Sequence, residues 1–248
     1  MITFFRHKAT PASNRTSVFS SLLMLLMTSS AAFADDEPAI TPFEAEYTAY
    51  KWGGDVGDVS IKLEYLKDEQ FALTYHSDVS KFFLSDERFE HSVFFASEQF
   101  IHPFSYYYKR TGTGPDKELE VKFSSYPQKQ IEIKDGETLP WNGETDNQLY
   151  RIDLARKLAA GETEVSYDFV NYRGEIQNYD IKVTGNETLD LPYGKLETIK
   201  VKLLRDHSSS RETFAWFAPS LDYNLVRLQQ FKDGDEQGDI RLKSYRHL

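Results

Sequence analysis

Residues 145–161, TDNQLYRIDLARKLAAG, form the one stretch beyond residue 34 whose apolar side chains recur at helical spacing. Leu149, Ile152, Ala155, Leu158 and Ala159 fall on one stripe, and Thr145 with Gln148 has the form of a capping box. Arg156 and Lys157 suit the negative end of the helix dipole, and Gly161 suits its stop. The segments on either side read as strands. A lone amphipathic helix among antiparallel strands must bury its stripe against a sheet, because no second helix is there to cover it. The spacing therefore predicts a helix over residues 145–160, lying in the concavity of a strongly curved antiparallel sheet, an open half-barrel or a barrel.

Outward from the helix, period-2 alternation marks the strands. Val59, Ile61, Leu63 and Tyr65 alternate with Asp58, Ser60, Lys62 and Glu64, and Phe71, Leu73 and Tyr75 share a face after the Lys67-Asp68-Glu69 turn. Strands are predicted over 44–50, 56–66, 71–77, 88–96, 100–110, 117–123 and 130–134 before the helix. After it they are predicted over 164–172, 175–184, 196–205, 211–217, 224–231 and 240–245. Gly53-Gly54-Asp55, Arg173-Gly174, Pro192-Tyr193-Gly194 and residues 233–238 supply turns, and Ser208-Ser209-Ser210 suits a hairpin tip. Pro103 predicts a bent strand or an edge. No repeat and no linker divides the chain, so residues 43–248 read as a single β-rich domain after a mobile arm at 35–42.

At the start of the chain, Arg6, Lys8 and Arg15 precede an apolar run at 22–27 and small residues ending Ala32-Phe33-Ala34. This is the layout of a signal peptide cleaved after Ala34, and it predicts a periplasmic protein. The run is too short to span a bilayer, and no later stretch is long and apolar enough for a transmembrane segment. The leader holds three basic and no acidic residues, so its removal takes the formal net charge from −10 to −13. Such a charge disfavours nucleic acid as a partner. Cysteine is absent, which excludes disulfides and thiol catalysis. The 14 Phe, 15 Tyr and 3 Trp beyond the leader are what large half-buried sheets use.

Catalytic and metal motifs are wanting. The acidic loop at 233–239 lacks the glutamate that a calcium loop needs at its twelfth position, which here is Ser244. The six histidines show no ligand spacing, no Gly-x-Ser-x-Gly occurs, and no glycine pair precedes a helix as a phosphate cradle would. Neither an enzyme nor a cofactor is implied. The aromatic clusters Phe82-Phe83, Phe94-Phe95 and Tyr106-Tyr107-Tyr108 break alternation and place rings on both faces of a strand. They read either as a sheet core covered by the helix or as the wall of an apolar cleft.

Further along, Pro192-Tyr193-Gly194-Lys195-Leu196-Glu197-Thr198-Ile199-Lys200-Val201 is followed by Arg211-Glu212-Thr213-Phe214-Ala215-Trp216-Phe217-Ala218-Pro219-Ser220-Leu221-Asp222-Tyr223 and Val226-Arg227. These residues resemble the family of exported bacterial proteins called domain of unknown function 3108, over residues 43–247. The resemblance implies a periplasmic β-rich fold and carries no activity or catalytic residues. Asn224 stands where it leads one to expect a proline. Within the motif, Phe214 and Trp216 share a strand face, and Arg227 is expected to pair with a carboxylate across the hairpin.

Together these readings predict a non-enzymatic periplasmic protein that holds a hydrophobic, lipid-like ligand in the concavity, as lipoprotein-carrier half-barrels do by fold analogy alone. Phe83, Phe95, Tyr107, Leu149, Ile152 and Trp216 are the expected ligand contacts. The alternative is a structural or scaffolding partner in a cell-envelope complex, docking another protein by sheet edges or exposed aromatics and having a dry, filled interior. A glycan hydrolase would need two carboxylates facing one cleft, which nothing in the sequence locates.

Overall fold

The structure, a computed structural model, describes residues 40–97, 100–204 and 210–248. The expected leader, most of the expected arm, and Ser208 and Ser209 lie outside them. Short turns drive the architecture, because each forces the next strand to return beside the last. One meander runs through β1 (Phe43–Lys51), β2 (Gly54–Lys67), β3 (Gln70–Lys81), β4 (Leu84–Ala96), β5 (Ile101–Gly112), β6 (Lys117–Ser124), β7 (Gln130–Ile133) and β8 (Thr138–Pro140). The chain then makes β9 (Thr145–Asp146) and α1 (Tyr150–Ala159). A second meander follows through β10 (Glu164–Val170), β11 (Ile176–Leu191), β12 (Gly194–Leu204), β13 (Arg211–Ala218), β14 (Asn224–Lys232) and β15 (Asp235–His247).

The two meanders join where β15 pairs antiparallel with β1, giving one sheet in the order β8-β7-β6-β5-β4-β3-β2-β1-β15-β14-β13-β12-β11-β10-β9. That order has two ends, so the sheet is not closed into a barrel, yet its edges cannot be far apart. Only residues 141–144 separate β8 on one edge from β9 on the other, a span of at most about 18 Å. The sheet must therefore curl until its edges nearly meet. Bulges at Glu46/Tyr47, Ala49/Tyr50, Val93/Phe94 and Trp216/Phe217 add the local bend and twist that curling needs. Pro103 lies opposite the Val93/Phe94 bulge, in keeping with the bend expected of it.

Alternation puts Phe43, Ala45 and Tyr47 of β1, Ile61 and Leu63 of β2, Phe71 and Leu73 of β3, and Phe217 and Leu225 of the second meander in one buried core. The helix enters that core with Tyr150, Ile152, Leu154 and Leu158. Its Tyr150 ring lies 5.5 Å from Phe169 and 6.0 Å from Tyr179. Tyr167 of β10 donates its hydroxyl to the Asp153 carboxylate at 2.9 Å. A second, smaller core closes the seam, where Val170 of β10 packs with Tyr106, Val121, Ile131 and Trp141 from the opposite end of the sheet.

The helix is shorter than the spacing predicts. Thr145 and Asp146 are extended and pair parallel with Phe169 and Val170. The expected capping box does not form, and Asp146 takes its place by accepting the backbone N–H groups of Gln148 and Leu149. Ala159, counted on the apolar stripe, is exposed, and Leu154 is buried in addition.

Candidate functional site

The six expected ligand contacts do not converge. Leu149 and Ile152 are buried beneath the helix, and Ile152 borders a cavity of about 20 Å³ beside Tyr47, Arg151, Phe217 and Leu225. A volume of that size admits about one water molecule and no acyl chain. Trp216 of β13 is buried, and its indole N–H donates to the Glu187 carboxylate at 2.8 Å. The Arg227 guanidinium lies 4.7 Å and the Lys200 ammonium 5.0 Å from its ring. Arg227 meets its carboxylate on β15, where Asp239 accepts two hydrogen bonds from it and two from Arg241. Register places Phe95 and Tyr107 on the outer face of β4 and β5, opposite the buried Phe94 and Tyr106, and both are half-buried. Phe83 is elsewhere again, at a hairpin tip.

Beneath the first turn of the helix sits a polar nest that the sequence did not single out. Glu90 of β4, almost wholly buried, accepts the Tyr106 hydroxyl at 2.6 Å and the Asn147 amide at 2.8 Å. Arg151 donates to the Gln148 side-chain carbonyl at 2.9 Å. Asp146, wholly buried, has its carboxyl pushed up to about 7, because burial outweighs the two backbone N–H groups it accepts. Its Oδ2 has no hydrogen-bond partner of ordinary geometry, nor has Ser92 Oγ or Gln148 Nε2. A carboxylic acid poised near neutrality is chemically suggestive, but this one is sealed under the helix. No grouping of three or more His, Asp or Glu suited to a metal ion occurs among the described residues.

Four exposed apolar side chains gather at one rim, while others, Tyr65, Leu66, Phe100 and Tyr126 among them, lie elsewhere. Strands that alternate in direction put the β1–β2, β3–β4, β5–β6 and β14–β15 connections at the same end of the sheet. Lys51 pairs with Gly54 across the two-residue turn Trp52-Gly53, and Lys81 pairs with Leu84 across Phe82-Phe83. Trp52 is 67 % exposed, Phe82 90 %, Phe83 98 % and Leu84 63 %. Phe82-Phe83 thus forms neither a covered sheet core nor a cleft wall. The tips are tied laterally. The Lys81 ammonium donates to the Lys51 carbonyl at 3.1 Å and lies 4.5 Å from the Trp52 ring, which Lys51 approaches to 5.0 Å. The Trp52 backbone N–H donates to the Glu236 carboxylate at 2.7 Å, and Ser85 exchanges hydrogen bonds with Thr113.

Trp52 and Phe82 stand at φ +53° and +57°, a region where glycine, asparagine and aspartate are at ease and bulky residues are strained. Other turns of this chain meet the same need with Asp68, Asp135 and Asp233. The signal in the sequence was the pair Phe82-Phe83 between alternating runs and Trp52 before a glycine. Both are turn positions carrying the wrong residues for a turn.

A family model described as "Protein of unknown function (DUF3108)" matches residues 43–241. No curated protein matches the chain. Among solved structures, the chain is similar to a β-barrel-like protein of domain of unknown function DUF1849 from Brucella abortus. That likeness has a TM-score of 0.59 at 9 % identity and covers 84 % of this chain and 98 % of that one. A protein with a YmcC-like fold from Bacteroides fragilis aligns at a TM-score of 0.33 and 10 % identity, over 84 % of this chain and 97 % of its own. The first of these likenesses concerns the fold alone.

Proposed function

The chain belongs to the DUF3108 family, whose description assigns no activity, and from that premise we propose that it is a non-enzymatic docking protein of the bacterial cell envelope. It engages an apolar surface through its hairpin rim, and its filled interior serves as the frame that holds the rim in shape. The observation that carries this reading is a contrast. The concavity leaves about 20 Å³ beneath the helix, whereas four large apolar side chains stand uncovered together at one end. Soluble domains seldom leave such a cluster in water without a use for it. Residues 1–34, with the layout of a signal peptide, support an extracytoplasmic location.

Carriage of an acyl chain in the concavity would require Leu149 and Ile152 to leave the core, which costs several kcal/mol of apolar burial before any ligand is bound. The test is mass spectrometry and thermal unfolding of protein purified from its native envelope. The expected result is no stoichiometric lipid and no change of Tm on delipidation. A stoichiometric acyl ligand whose removal lowers Tm would overturn the proposal and restore the carrier reading.

A further inference from the structure

Resting on that docking reading, we infer that the apolar surface is the interfacial zone of a lipid bilayer, entered by the Trp52 and Phe82-Phe83 hairpin tips. Three observations lead there. The first is shape. Phe83 and Phe82 cap a two-residue turn with their rings almost entirely in solvent, so they form projecting knobs and not a groove that another chain could fill. Knobs of this kind gain most from a fluid surface that closes around them.

The second is strain. A side chain that contributes to its own fold is placed where the fold rewards it. Trp52 and Phe82 occupy positive-φ positions at a cost to the hairpin and recover little of that cost by burial within the chain. Tyr223, also at positive φ (+56°), is packed against the core, whereas Trp52 and Phe82 project into solvent, so the strain at these two residues points to a contact outside the chain.

The third is chemistry. Tryptophan and phenylalanine beside lysine is the residue set that settles at the headgroup level, with rings in the acyl boundary and ammonium groups at the phosphates. Lys51 and Lys81 flank the Trp52 ring on the strand side of the tips. Lys51 pairs with Gly54 and Lys81 with Leu84, so only the turn residues bring unpaired backbone groups to a depth where water and headgroups still satisfy them. The chain as a whole carries a net charge of −10, so attraction to an anionic leaflet does not drive the contact. Binding to neutral lipid should persist in salt.

The test uses purified protein with phosphatidylcholine vesicles, with and without phosphatidylglycerol. Trp141 and Trp216 are buried, so the tryptophan emission that moves on binding belongs to Trp52. Wild type should sediment with phosphatidylcholine vesicles and its emission should shift to the blue. A variant combining Trp52→Asn, Phe82→Asn and Phe83→Ser should partition about tenfold less or weaker still, with an undiminished Tm showing that the fold is intact. Wild type that ignores both vesicles, or a triple variant that binds as wild type does, overturns the inference. If vesicles are ignored but a photocrosslinker at position 83 joins the rim to one envelope protein in cells, the bilayer falls and docking stands. If neither binds, both readings fall.

Discussion

The Asp146 carboxylate accepts the backbone N–H of Leu149 at 3.0 Å, so the last residue of the edge strand β9 also starts the helix. A single buried side chain thereby joins the end of the sheet to the element that fills its concavity. Burial raises the Asp146 carboxyl from an unfolded value of 3.8 to about 7. A group whose pKa is raised by folding stabilises most below its unfolded pKa, and that contribution is lost as pH rises through the folded value. Each pH unit separating the two values is worth about 1.4 kcal/mol, so the loss between about pH 4 and pH 7 amounts to a few kcal/mol. Asp146→Asn keeps an oxygen for the Gln148 and Leu149 N–H groups and removes the titration. The variant should be more stable than wild type at about pH 8 and lose that advantage by about pH 5. Thermal unfolding across this range decides it, and parallel pH profiles for the two proteins would refute the assignment.

Much of the fold was legible because strands with one wet and one buried face announce themselves. The alternation from Val59 to Tyr65 and the stripe from Leu149 to Leu158 were enough for a curved antiparallel sheet with one covering helix. The ends were not legible. β3 and β4 extend together through residues 78–87, where both faces are largely polar or exposed and the periodic signal vanishes. The sequence alone could not show that Thr145 would pair with Phe169, because the gain comes from closing the seam and not from local propensity. The polar nest was hidden for a related reason: Glu90 and Tyr106 meet across strands, and Asn147 joins them from far along the chain. Phe82 was misleading because turn chemistry would have placed another residue there, and for the same reason the first turn falls at Trp52-Gly53 and not at the expected Gly53-Gly54-Asp55.

Leu149 tests whether the concavity is a packed core. It is fully buried beneath the first turn of the helix. In a filled interior, Leu149→Ala removes apolar contacts and leaves a void, at a cost of about 2–5 kcal/mol. If the space were an adaptable ligand pocket, the loss would be well under that range. Urea unfolding should show a lower midpoint at unchanged m-value, and a loss below about 1 kcal/mol would contradict the packed reading.

Gly57 marks a point where two strands come too close for a side chain. It lies opposite Ala49 beside the bulge in β1, with φ +146°, and a Cβ built there would stand 2.0 Å from the Asp78 carbonyl oxygen. Gly57→Ala must displace β3 or distort β2, and should cost more than about 1 kcal/mol. Gly238→Ala is the control, since nothing lies within 4 Å of its Cβ position. Equal midpoints for the two variants would show that the sheet yields at β2 without penalty.

The rim offers a stability test that needs no lipid. Phe82 occupies φ +57° with 90 % of its surface in water, so the fold bears the steric cost of a bulky residue and recovers little by burial. Asparagine tolerates this region because its short polar side chain bonds locally. Phe82→Asn should therefore raise stability, by up to about 1 kcal/mol. Trp52→Asn should gain less, because the substitution also removes the Lys51 and Lys81 contacts with the indole, worth about 0.5–1 kcal/mol at an exposed site. Chemical denaturation of the two variants reads both effects. A clear loss in Phe82→Asn would mean that the ring is held by its own chain, and the case for an external contact at this rim would lose its energetic basis.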